Sequence, residues 1–233
     1  MRISRSFARS LLASAVLILS TVPLSNGQDL SKYRSFQLGM NVDSVLAKIG
    51  MRRPEVRTIH KKPALIEEVE WSPNEFSTQR TLSKSLSQIR FSFYNSELYK
   101  MVVTYDYAKT DGLTTEDVID ALSAEYGKPI TPESSSVTVS AAGASYADIQ
   151  KVLALWEDTD SSYSLFRGPG EPFGLLIVSK ERNTTASAAA LEAAARDRAE
   201  EAQKQTDRQA REVADREAAQ EKLRLLNKKT FRP

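Results

Sequence analysis

The sequence contains no cysteine and a single histidine, His60. These two shortages exclude a disulfide scaffold, thiol catalysis, zinc sites built from Cys or His, and lipid attachment through cysteine. A surplus of one charge is also missing. There are 32 basic and 30 acidic residues, and three of the basic ones (Arg2, Arg5, Arg9) precede residue 28. From Gln28 onward the balance is 29 basic against 30 acidic, a net of −1. A positive field suited to nucleic acid is therefore not expected. Long apolar runs are absent too. The longest, Leu11 to Leu19, would reach only ~14 Å as a helix, against a hydrocarbon core of roughly 30 Å. What remains, 41% hydrophobic and 27% charged over 233 residues, is the composition of a globular protein.

The N-terminus reads as an export signal. Arg2, Arg5 and Arg9 form a charged region before the apolar run, Pro23 breaks the helix, and Ser25-Asn26-Gly27 places small residues before a cleavage point. The expectation is a signal peptide over 1–27, cleaved between Gly27 and Gln28, and a periplasmic or secreted product. An exported chain without cysteine suits a bacterial source.

Between Gln28 and Arg182 the pattern repeats. Asn41 caps a helix with its apolar stripe at Val42, Val45, Leu46 and Ile49, and Gly50 ends it. Thr114 to Asp117 opens a second helix with a capping-box pattern. Its stripe is Val118, Ile119, Leu122 and Tyr126, and Gly127-Lys128-Pro129 stops it. A strand closing on tryptophan follows each helix, Leu65–Trp71 and Val152–Trp156, and two further strands follow each tryptophan. These are Gln88–Tyr94 and Leu98–Tyr107 in the first unit, Ser162–Arg167 and Phe173–Lys180 in the second. The predicted fold class is α+β: two helix–strand–strand–strand units, about 28–110 and 111–182, forming an antiparallel sheet with helices on one face. Ser72–Ser87 and Glu133–Ala147, rich in Ser, Thr and Ala, read as solvated loops. Asn183–Arg232 has neither Gly nor Pro, so 183–233 reads as a long charged helical tail.

The run Phe36-Gln37-Leu38-Gly39-Met40, then Val45, Gly50, and strands bearing Glu70-Trp71 and Phe91-Ser92-Phe93-Tyr94, resembles the SmpA/OmlA (BamE-like) domain. The tandem layout is similar to that of beta-lactamase-inhibitor-like proteins. The resemblance implies a small exported bacterial domain that binds other proteins and does not catalyse. It carries no functional residue over to this chain.

Catalytic patterns find little support. His60 sits in a Lys/Arg-rich stretch and reads as a solvated loop residue. Asp158-Thr159-Asp160-Ser161-Ser162 begins like a calcium loop but lacks the glycine and closing glutamate that such a loop needs. Arg167-Gly168-Pro169-Gly170 is a turn, because its proline removes an amide donor and a strand follows. Glu67, Glu68 and Glu70 are the one candidate carboxylate set. Glu68 and Glu70 share a strand face about 7 Å apart, which an acid–base hydrolase would use and a half-exposed strand shows in any case. No catalytic residue, cofactor or metal is assigned.

Two surfaces suit binding. In the central hairpin Ile89, Phe91, Phe93, Tyr99, Met101, Val103, Tyr105 and Tyr107 are expected under the helices. The opposite face carries Arg90, Ser92, Tyr94, Lys100, Val102, Thr104 and Asp106, a mixed aromatic and basic surface. Arg52, Arg53, Arg57, His60, Lys61 and Lys62 form a basic loop. The candidate partner-binding residues are Arg90, Tyr94, Lys100, Thr104, Arg52 and Arg53, the partner being a protein or envelope component and not nucleic acid. In the tail, Leu191, Ala202 and Val213 recur every eleven residues, which favours a straight helix projecting from the domain. Residues 223–232 add a basic, apolar tip for weak contact with a membrane surface or partner. The expected function is thus a non-catalytic exported adaptor. The alternatives are an envelope hydrolase using acidic residues and a structural oligomer formed through the tail.

Overall fold

The computed structural model describes residues 29–73, 84–130, 136–139, 149–168, 170–230 and 232. The expected signal peptide lies outside these residues. A short hairpin, β1 (Lys32–Tyr33) and β2 (Phe36–Gln37), leads into α1 (Val42–Ile49). The Asn41 side chain accepts the Ser44 amide at 2.8 Å, and Gly50 closes the helix at φ 70°, where a side chain would be strained. A 3₁₀ turn (Arg53–Glu55) precedes β3 (Arg57–His60), β4 (Ile66–Trp71), β5 (Leu86–Tyr94) and β6 (Glu97–Tyr105). After α2 (Tyr107–Thr110) comes α3 (Thr115–Tyr126), opened by a reciprocal capping box between Thr114 and Asp117. Then follow β7 (Ser136–Thr138), β8 (Ile149–Glu157), β9 (Ser161–Arg167), β10 (Phe173–Ser179) and α4 (Lys180–Thr230).

β3 to β10 form one antiparallel sheet in the order β3-β4-β5-β6-β10-β9-β8-β7. The two units are therefore arranged head to head. Their third strands, β6 and β10, pair at the centre with Val102 opposite Leu176. The fold is α+β, as the periodicity predicts. α1 and α3 cover one face, over Val69, Ile89, Phe91, Phe93, Met101, Val103, Leu165, Leu175 and Ile177. Trp71 and Trp156 hold equivalent buried positions near the ends of β4 and β8. Trp156 also donates Nε1 to the Gly127 carbonyl at 2.7 Å, tying the end of α3 to β8. The Tyr163 hydroxyl reaches back to the Lys32 carbonyl and joins the second unit to the first hairpin.

Four local expectations change. Pairing shifts between Ser92 and Phe93, so Phe93 faces Leu98 and Ser92 faces Lys100. Leu98 takes the core position and Tyr99 turns to the other face, beside Ser92 and Glu68. Tyr107 leaves the sheet to start α2 and is 55% exposed. Part of the basic loop is strand β3, an edge paired with β4. Part of the second Ser/Ala-rich loop is strand β7, paired with β8; the rest of both such loops lies largely outside the described residues.

The largest difference concerns the tail. β10 runs into α4 with no intervening loop, and the first four to five turns of α4 lie on the sheet instead of projecting from it. Ala186, Ala189 and Ala193 are buried. Ala189 packs with Ala64 and Ile66, with Ile59, Tyr94 and Ala190 around them. Arg182 bridges to Glu97 at 2.8 Å and Asp197 lies 3.6 Å from His60. The helix thus crosses from β10 to β3, four strand spacings or about 19 Å, within its first eighteen residues. From Ala195 to Thr230 every residue is exposed, an arm of about 54 Å.

Candidate functional site on the face opposite the helices

Alternation along β4, β5 and β6 sends Glu68, Glu70, Arg90, Ser92, Tyr94, Lys100, Val102 and Thr104 to the face away from α1 and α3, as the period predicts. That face is not a bare sheet. At one end α4 covers Ile66 and packs beside Tyr94. At the other, Val137 and Val139 sit against Val102, Phe166, Leu176 and Val178, a second small apolar cluster. Tyr94, Lys100, Thr104 and Arg90 are accordingly half-buried. Each has a packing or pairing role that their sequence pattern does not reveal.

Between the two covers runs a row of charge. In register across the strands lie Arg57, Glu68, Ser92 and Lys100. Arg57 Nη2 donates to Glu68 Oε2 at 2.9 Å and the Ser92 hydroxyl donates to Glu68 Oε1 at 3.1 Å, so both oxygens of this buried carboxylate are engaged. Burial pushes the Lys100 ammonium below its ordinary range, with Glu68 opposing the shift. Burial, reinforced by Glu68, raises the Tyr99 phenol to about 12. In the next row Glu70 faces Arg90, with 3.9 Å between Glu70 Oε2 and Arg90 Nε. Arg90 Nη1 donates to the Val139 carbonyl at 3.2 Å, which ties β7's segment to the sheet.

Two hollows flank Arg90. One, of about 110 Å³, lies beneath Val139 and is lined by Gln88, Arg90, Thr104, Gln150, Phe166 and Glu171, among others. Small-molecule sites usually offer roughly 300–1,000 Å³, so this one is too small for a typical metabolite. The other, of about 320 Å³, is lined by Glu55, Arg57, Glu68 and Glu70. All four of its lining residues are charged, with their carbon stems forming part of the wall.

The basic loop meets this groove. Arg53 is committed to the helix side, with its guanidinium 3.0 Å from Glu67 and 3.5 Å from Asp43. Glu67 thus points away from Glu68 and Glu70, and the expected carboxylate set is split between the two faces. Arg52 is exposed and its amide is capped by Glu55 at 2.6 Å. Of the loop's residues, Arg57 and Glu55 line the groove. The two surfaces that sequence reasoning treats separately are therefore joined at the β3 edge, through a residue it did not single out. Signals for Arg57 were its place in the basic run and its spacing from Glu55; the β3–β4 register that sets it beside Glu68 has no local signature. Among the described residues, no group of three or more acids or histidines is arranged to hold a metal ion, and no helix is long and apolar enough to cross a membrane.

An antiparallel sheet of two head-to-head units, with helices on one face, a charged groove on the other and a helical arm, defines the class of molecule. The chain belongs to the TP0088 domain family, whose model matches residues 31–179. That span ends on the last residue of β10, so α4 lies wholly beyond it. Comparison with curated proteins returns no match. Among solved structures the chain is similar to a cysteine-rich secretory protein from Staphylococcus aureus subsp. aureus Mu50, at 9% identity and a TM-score of 0.34, over 62% of this chain. The match spans 45% of that protein's length, and at this score it carries no argument.

Proposed function

We propose that this chain is an exported binding protein of the bacterial cell envelope, without catalysis of its own, that docks a protein partner at the β3 edge through the groove of Glu55, Arg57, Glu68 and Glu70. The observation that carries the reading is that all four residues lining the groove are charged, with Glu55, Arg57 and Glu70 exposed. Alternating charge of this kind selects a complementary charged surface and sets its register, and gives little hold on an apolar substrate body. The hydrolase alternative is weakened because Glu68 spends both oxygens on Arg57 and Ser92. Export rests on the leader, and the family match beginning at residue 31 fits a mature chain starting near Gln28. The resemblance to SmpA/OmlA domains points to the same kind of role.

The test is site-specific photo-crosslinking in the native envelope from Glu55 and Glu70, with probes on the exposed face of α3 as controls. The groove positions should give one defined protein adduct that charge reversal of the other groove residue abolishes. Adducts arising equally from α3, or none from the groove, would refute the assignment.

A further inference from the structure

The free end of α4 differs from the arm that carries it. From Ala195 to Gln220 the only large apolar residue is Val213. Then Leu223, Leu225 and Leu226 appear within four positions, exposed by 59%, 48% and 61%. Ala219, Leu223, Leu226 and Thr230 follow one side of the helix. Lys222 and Lys229 fall within about 60° of Leu226 around the axis. No acid follows Glu221, whereas Lys222, Arg224, Lys228, Lys229 and Arg232 are all basic. Glu221 is taken by Arg224 at 2.6 Å, so Lys222, Lys228 and Lys229 have no carboxylate partner among the described residues.

We infer that residues 222–230 are a membrane-surface anchor that binds anionic phospholipid headgroups. Leu223 and Leu226 enter the boundary between headgroups and acyl chains, and the lysines extend to the phosphates. Leucines flanked by cations on a short helical face are the composition of an interfacial helix, and long lysine side chains can bury their stems while keeping the ammonium in the headgroup layer. Cations near a helix C-terminus also complement the dipole, but the dipole gives no reason for three exposed leucines. A second copy of the helix is the poorer occupant. A parallel pair would bring the two basic ends together, and paired helices need large apolar residues over several heptads, which the arm lacks. The buried alanines at the other end hold the arm on the sheet, so about 40 Å of helix, from Ala195 to Glu221, separates the domain from the anchor. This inference does not depend on the groove at β3.

The experiment is vesicle co-sedimentation of the chain from Gln28 to Pro233, which contains every described residue. It should bind vesicles of phosphatidylcholine with about 30% phosphatidylglycerol, bind pure phosphatidylcholine far less, and lose binding as salt rises. Each lysine near an anionic surface is worth about five-fold in partition, so Lys222→Glu, Lys228→Glu and Lys229→Glu together should cost at least about a hundred-fold. Leu223→Ser with Leu226→Ser should cost about ten-fold or more. Both variants should melt like the parent, since Lys222 to Thr230 are all exposed. Arg52→Glu with Lys61→Glu, both exposed, should bind like the parent. Three outcomes would overturn the anchor: no binding by the parent, undiminished binding by the tip variants, or loss confined to the Arg52/Lys61 variant. Sedimentation velocity without lipid should give a monomer, and a dimer split by the leucine substitutions would assign them to helix pairing instead.

Discussion

Ending the chain at Arg182 tests how α4 belongs to the domain. Read from composition alone, that truncation should leave the melting temperature within about 2 °C. The contacts argue otherwise. Ala186, Ala189 and Ala193 are 1%, 9% and 2% exposed, and Ile66, beside Ala189, is 1% exposed. Three buried methyl groups are worth about 2.4 kcal/mol at roughly 0.8 each, and uncovering part of Ile66 adds up to about 1 kcal/mol. Ordering the docked turns offsets some of this, although alanine gives up little on entering a helix. A net loss of about 2–3 kcal/mol is expected, or a fall of roughly 4–12 °C for a domain of this size. A chain ending at Arg198 loses, among the described residues, only exposed ones and should melt within about 2 °C of the parent. Differential scanning calorimetry and urea titration of the parent and the two truncations would decide it. If the chains ending at Arg182 and Arg198 unfold together, the docking contributes nothing and the helix is an appendage from its first turn.

Three further perturbations have definite signs. A Cβ at Gly174 would enter the ring of Phe166, which lies over that glycine across the β9–β10 pair, so Gly174→Ala should cost about 1–3 kcal/mol in urea titration and Phe166→Ala should remove most of that cost in a double-mutant cycle. Trp156→Phe should cost about 1–3 kcal/mol by leaving the Gly127 carbonyl without its indole donor, while Trp71, with no indole hydrogen bond to this carbonyl, should respond to the same change through packing alone. Tyr99 in the folded chain ionises near 12 against an ordinary value near 10, so the fold retains the proton and stability should be full below pH 10 and fall as pH rises toward 12. Buried Tyr33, Tyr105, Tyr126 and Tyr163 are shifted in the same direction. Tyr99→Phe should shallow the alkaline decline between pH 10 and 12, and an unchanged slope would place Tyr99 in water.

Helices α1 and α3, six of the strands and both tryptophan positions were legible because each is a local pattern. Asn41 and Gly50 mark one helix, Thr114, Asp117 and Gly127 the other, and period-two alternation sorts Phe91 from Ser92. Tyr99 was not legible. An extra residue in β6 reverses the alternation after Leu98, and its cause is the pairing with β5, which no window of β6 contains. β3 and β7 are edge strands of four and three residues. They carry too few apolar positions to be told from loop, and their existence depends on the strands beside them. The groove suffers the same limit. Glu68 and Glu70 were visible as same-face acids, but Arg57 enters only through the β3–β4 register.

The tail shows how a correct local reading can still misplace an element. Alanine signals helix propensity whether or not it touches anything, so the alanines between Asn183 and Lys222 look alike in sequence. The docked ones differ only in what faces them. Ala186, Ala189 and Ala193 recur at three and four residues, the spacing of a contact stripe, and they lie over a sheet whose row at Ile66 would otherwise open to water. Small side chains let the helix axis approach the strands closely. Farther out, past the edge strand β3, the sheet ends, and no partner surface remains for the same alanines to meet. The helix therefore changes role where the sheet stops, near Asp197 beside His60, and not at any change in its own composition.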